Sequence, residues 1–175
     1  MELKSRKEMN PQYMWDFTHI FPNKQAWEDA YKQAWAQVET LPALEGTLGK
    51  SADSLKHALD AVFAAAQKAE LVYLYASLHK SGDNGDAEYQ AMEDRCIRLM
   101  TKFETAIASI TPEILSIPEK TLEAYMADEA LKTYRHHVHD INRARAHTLD
   151  AERERLLAML GEAAQAPSNA FGMLE

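Results

Sequence analysis

The sequence predicts an all-α fold: a helical bundle built on a long antiparallel hairpin, about 51–80 and 86–110, with shorter helices flanking it. Three observations carry this. Only six Gly and six Pro interrupt 175 residues rich in Ala, Leu, Glu, Lys and Gln, the better helix formers. Apolar residues recur at alternating steps of three and four along most of the chain. No alternating run of useful strand length occurs.

The first helix is expected from about Asn23 to Thr40, with Asn23 as N-cap. Trp27, Tyr31, Ala34, Val38 and Leu41 share one face, and Pro42 and Gly46 end it. The second starts after Ser51 and continues to about Lys80. Its stripe is Leu55, Leu59, Val62, Ala66, Ala69, Tyr73 and Ala76. "SGDNGD", Ser81 to Asp86, reads as a turn whose residues tolerate left-handed dihedrals. The third helix begins near Asp86, with Tyr89, Met92, Cys96, Leu99, Phe103, Ala106 and Ile110 on one face. Two long helices joined by a short polar turn should pack antiparallel. Thr111-Pro112 reads as N-cap and N1 of a further segment, and Pro118 as another start. Two more helices are expected, from about Glu129 to Ala146 and from Asp150 to Ala164. Leu131, Tyr134, Val138 and Ile141 form the apolar face of the first, and Leu156, Leu157, Leu160 and Ala164 that of the second.

One domain is expected at this length: residues 1–12 as a charged, flexible N-terminus and 13–175 as a helical domain. A formal charge of −8 and a pI near 5.4, with no basic stripe, argue against nucleic acid as a partner. Cys96 is the single cysteine, which rules out an internal disulfide and suits a reducing cytoplasm. The charged first ten residues hold no signal-peptide core, and no stretch reaches the roughly 20 apolar residues of a membrane span.

Residues 13–31, "YMWDFTHIFPNKQAWEDAY", place Trp15, Phe17, Ile20 and Phe21 ahead of the first helix, with Trp27 inside it. These five are the candidate docking and packing residues. Ile20 or Phe21 packing on Trp27 would staple the helix entry.

Motifs for chemistry are missing: there is no H-E-x-x-H, phosphate loop, C-x-x-C or G-x-S-x-G. His136 and Asp140 stand at i,i+4 with His139 beside them, which is the best metal candidate. His137 lies toward the apolar side, and Arg135, Arg143 and Arg145 oppose a cation, so a solvated helix face is the preferred reading. Cys96, between Met92 and Leu99, reads as a core thiol. The adjacent pairs Glu28/Asp29 and Glu93/Asp94 point to different sides of their helices and form no acid/base pair. The predicted catalytic and metal residues are therefore none.

Several segments nevertheless resemble one family. "WDFTHIF" resembles the W-D-L-x-x-I-F entry of oligoendopeptidase F, with Trp27 placed like the Trp that follows it. "LVYLYASL" (71–78), "DAEYQAM" (86–92), "YRHHVHDINRARAHTLDAERERLLAML" and "APSNAFGML" (166–174) resemble successive stretches of that family's N-terminal region, from Tyr13 to Leu174. The resemblance implies a zinc metallopeptidase that cleaves short peptides in the bacterial cytoplasm. Its zinc ligands would lie on an H-E-x-x-H helix and a later Glu, and none of these is present, so no catalytic or metal residue carries over. It implies no cofactor in this piece and zinc in the full-length enzyme. Its partners would be the enzyme's own catalytic domain and its peptide substrates, with no membrane involved. Phe17 departs from the family's Leu. His136, His137 and His139 fall where the family carries Arg, Tyr or acidic residues. Leu174-Glu175 is read as a cloning scar. The piece would wall a substrate channel and, with covering protein missing, would form a homodimer. The alternative is a self-contained helical interaction module.

Overall fold

Asn23 and Ser51 open the first two helices in the manner their side chains suggest. Asn23 Oδ1 accepts from the Ala26 amide at 2.9 Å, and Ser51 Oγ from the Ser54 amide at 3.1 Å, so each satisfies a helix-start donor. The computed structural model describes residues 8–147. They comprise α1 (Lys24–Thr40), α2 (Ala52–Gly82), α3 (Ala87–Ile107), α4 (Ile110–Ser116), α5 (Glu119–Ala127) and α6 (Arg135–Ala144), with short 3-10 segments between or beside them. The fold is all-α, with no strand among the described residues. The chain divides into two compact units, residues 1–135 and 136–175. The expected helix from Asp150 to Ala164, the "APSNAFGML" stretch, the Leu174-Glu175 junction and residues 1–7 lie outside the described residues.

The core of the first unit is α1, α2 and α3, with the most extensive contact between α2 and α3. The hairpin turn is Asp83–Asp86, since α2 runs two residues past its expected end. The turn uses no left-handed residue; among the described residues only Gly46, after α1, has a positive φ (73°). Side chains make it instead. Asp83 Oδ1 accepts from the Gly85 amide at 3.1 Å, and Asp86 Oδ1 caps α3 by accepting from Glu88 at 2.8 Å. His79 stacks on Tyr89 beside the turn, and deeper in, Trp27 meets Val72 of α2 and Arg95 of α3. These contacts, at matching distances on either side of the turn, are compatible with an antiparallel hairpin.

The buried stripe of α2 differs in part from the expected one. Leu55, Leu59, Ala69 and Ala76 are buried, but Ala65, Val72 and Tyr75 replace Ala66 and Tyr73, which are half-buried at the edge with Val62. The reason is that α2 packs against both α1 and α3, so its buried face is broad and centred between them. Ala58, Ala65 and Val72 stand seven residues apart, as do Ala69 and Ala76, and in α3 Met92 and Leu99, and Cys96 and Phe103. A seven-residue repeat keeps one seam of each helix on its neighbour along the whole contact.

Beyond α3 the boundaries shift. α4 begins at Ile110 with Ser109 at the N-cap position, so Thr111 and Pro112 fall inside its first turn rather than as N-cap and N1. Pro118 does stand at the N-cap position of α5. The expected single helix from Glu129 is instead a 3-10 segment, Glu129–Tyr134, followed by α6. The tighter winding puts residues three apart on one side, so Leu131 is buried while Tyr134 stacks on Phe63 of α2 and donates to Asp60 Oδ1 at 2.5 Å. Burial, then the bond to Asp60, pushes the Tyr134 hydroxyl up to about 12.

Candidate functional site

The aromatic segment before α1 seats on the turn end of the hairpin. After a 3-10 turn at Pro11–Tyr13, Asp16 Oδ1 accepts from the Thr18 amide at 2.9 Å and Ile20 N–H bonds Phe17 O at 3.0 Å, which folds the backbone back on itself. Phe17 then meets His79 edge-on at 4.9 Å, and Phe21 meets Tyr75 edge-on at 5.5 Å. Ile20 is half-buried. Trp15 is 84% exposed. The ring contact of Phe21 is thus with α2, where the sequence suggests a staple onto Trp27.

Trp27 is fully buried. Its Nε1 donates to the Val72 carbonyl at 2.8 Å, and its ring stacks on Tyr31 at 5.5 Å. Tyr31 in turn lies 6.1 Å from Trp35, so aromatic residues at successive i,i+4 steps line α1. α3 answers with cations seven residues apart. Arg95 sits 4.4 Å over Tyr31 and 4.9 Å over Trp27, and Lys102 sits 4.5 Å over Trp35. Arg95 also grips Glu28 through two bonds of 2.7 and 2.8 Å, which holds the Glu28 carboxyl below the usual range. Lys102 binds Glu39 at 2.8 Å, and Lys80 pairs with Glu93. Sequence reasoning misses this ladder when Glu28 and Glu93 are weighed only as possible acids. Aromatic residues at 27, 31 and 35 opposite cations at 95 and 102 are the available signal.

Cys96 is buried in the core, and desolvation pushes its thiol up to about 12, so it stays protonated and a poor nucleophile at neutral pH. In the second unit, His136 Nε2 approaches Asp140 Oδ2 at 3.3 Å and His139 Nδ1 approaches Asp140 Oδ1 at 3.9 Å. The same Asp140 oxygen lies 3.6 Å from the Arg143 guanidinium. Among the described residues no group of three or more His, Cys, Asp or Glu could hold a metal ion. The His136–Asp140 cluster offers a carboxylate already shared with a fixed cation, so its donor set does not fit zinc.

Known proteins share both sequence and fold with this chain. A family model described as Oligopeptidase F matches residues 113–175. Oligopeptidase PepF of Bacillus subtilis (strain 168) is 32% identical over 174 residues, covering 99% of this chain and 26% of the relative. An oligoendopeptidase F homolog of Lactococcus lactis is 28% identical over 98% of this chain and 29% of its own length. Among solved structures, a chain described as a peptidase from Chlamydophila abortus superimposes with a TM-score of 0.84 at 27% identity, over 99% of this chain and 29% of that one. Oligoendopeptidase-F from Enterococcus faecium gives a TM-score of 0.68 at 31% identity, over 87% of this chain and 30% of that one. The chain therefore spans between a quarter and a third of the length of the relatives it matches. Family model, sequence relatives and fold agree in one direction: the chain is similar to the N-terminal region of oligoendopeptidase F proteins.

Proposed function

We propose that this chain is the N-terminal helical lobe of a zinc metallopeptidase that hydrolyses short peptides in the cytoplasm. In this reading it walls the substrate channel and supplies no catalytic residue. The match of nearly the whole chain to under a third of a peptidase chain, at a TM-score of 0.84, carries the reading. The physical logic is exclusion: a rigid three-helix wall admits extended peptides, blocks folded proteins and keeps bulk water from the reacting carbonyl. In this reading the zinc of the full-length enzyme is held by residues outside this chain. Its partners are the catalytic domain of the parent enzyme and that enzyme's peptide substrates.

Two measurements test this. The purified chain, incubated with a bradykinin-sized peptide, should produce no cleavage. Chelator-sensitive hydrolysis would overturn the assignment. The reading frame beyond codon 175 should encode H-E-x-x-H in a helical context, whereas a native stop codon there would favour a self-contained interaction module.

The proposal includes self-association of the isolated chain. Phe63, Leu71 and Leu74 on α2 and Ile97 on α3 are large apolar residues more than two-fifths exposed, and such surface tends to pair. Light scattering should show a dimer whose population rises with concentration; a strict monomer throughout would refute it.

A further inference from the structure

Where the N-terminal segment crosses the hairpin turn, it lines a cleft of about 290 Å³. Trp15, Phe17, His79 and Tyr89 supply ring surfaces, and Asp83 and Asp86 supply carboxylates. The rings belong to a connected set, with Phe17 edge-on to His79 and His79 stacked on Tyr89 at 4.5 Å. Trp15 forms the outer wall and is mostly open to solvent.

Among the described residues that line this cleft, the carboxylates belong to Asp83 and Asp86. Asp83 Oδ1 accepts from the Gly85 amide, and Asp86 Oδ1 from the Glu88 and Tyr89 amides. Neither carboxylate enters an ion pair among the described residues. The neighbouring lysines are engaged elsewhere, Lys80 with Glu93 and Lys24 with Glu88. Aromatic faces carry negative quadrupole potential, and two carboxylates beside them add to it. The chemistry that satisfies both is an organic cation, with its flat or methylene surface on the rings and its N–H groups on the carboxylates.

We propose that this cleft binds the guanidinium or ammonium group of a basic peptide side chain. It is an anchoring subsite for that side chain. The inference rests on the cleft's side chains alone, so its failure would leave the lobe assignment standing, and the reverse also holds.

The test is a titration of the 175-residue chain with a short peptide carrying one arginine, against the same peptide carrying citrulline, its uncharged isostere. The readout is the indole N–H NMR signal of Trp15, assigned by its loss in Trp15→Ala. The arginine peptide should move that signal and bind about tenfold more tightly than the citrulline peptide. The double variant Asp83→Asn/Asp86→Asn keeps a carbonyl acceptor at both turn positions and removes the charge. It should fold with unchanged helicity and lose about tenfold in affinity. Trp15→Ala, at an exposed position, should weaken binding without affecting folding. Equal binding of both peptides, a Trp15 signal that does not move, or undiminished binding by the folded double variant would each overturn the proposal.

Discussion

Trp27→Ala should destabilise the chain by about 3–5 kcal/mol, more than the loss of any ion pair in the bundle. The indole is fully buried between α1, α2 and α3. Its removal leaves a void, strips a stacking partner from Tyr31 and takes away one face of the Arg95 site. It also deletes the donor to the Val72 carbonyl. For a chain of this size, the loss corresponds to roughly 10 °C in Tm. Trp27→Phe keeps most of the ring and loses the N–H, so it should cost roughly 1–2 kcal/mol. Thermal and urea unfolding of the two variants measures both. A cost for Trp27→Ala below about 1.5 kcal/mol would mean the three helices do not close on this ring.

Arg95→Ala comes next, at about 2 kcal/mol, because it removes two charge-assisted bonds to Glu28 and a cation stacked on two rings. The pair is partly solvated, which keeps the cost below that of breaking a fully buried one. The pH dependence separates the ion pair from simple packing. The Glu28 carboxyl is held below its usual range, chiefly by the bonds from Arg95. Its contribution is therefore complete above the unfolded glutamate value of about 4.3, and fades as pH falls through the lower folded value. Wild-type stability should drop across that acid window, and Arg95→Ala should flatten the drop. A double-mutant cycle with Glu28→Gln should return a coupling of about 1 kcal/mol at neutral pH, and none in acid.

Much of this architecture is legible in the sequence because it depends on local chemistry. Asn23, Ser51 and Asp86 cap where their side chains can reach the next free amides, and Pro118 stands at a helix start. What is not legible depends on groups distant in sequence. Which of Ala65 or Ala66, and Val72 or Tyr73, turns inward is set by the presence of two neighbours rather than one. The loop after α1 is fastened by Glu113, whose carboxylate accepts from the Gly46 amide at 2.9 Å and the Leu48 amide at 2.7 Å, partners more than sixty residues away. No periodicity announces such a clamp. The same holds for the candidate site: Trp15 and Phe17 are conspicuous in the sequence, but their relation to His79, Asp83 and Asp86 exists only once the hairpin closes.

The seven-residue spacing along α2 and α3 also limits how this hairpin can change length. One residue inserted in either helix would turn everything beyond it by about 100° and carry the seam off its partner. Seven inserted in each, at matching depth, would restore every facing pair. Matched steps of about 10 Å, two turns at a time, are therefore the length changes that leave the seam in place without local over- or unwinding. A lineage that lengthened this hairpin with its seam intact would do so in matched seven-residue steps.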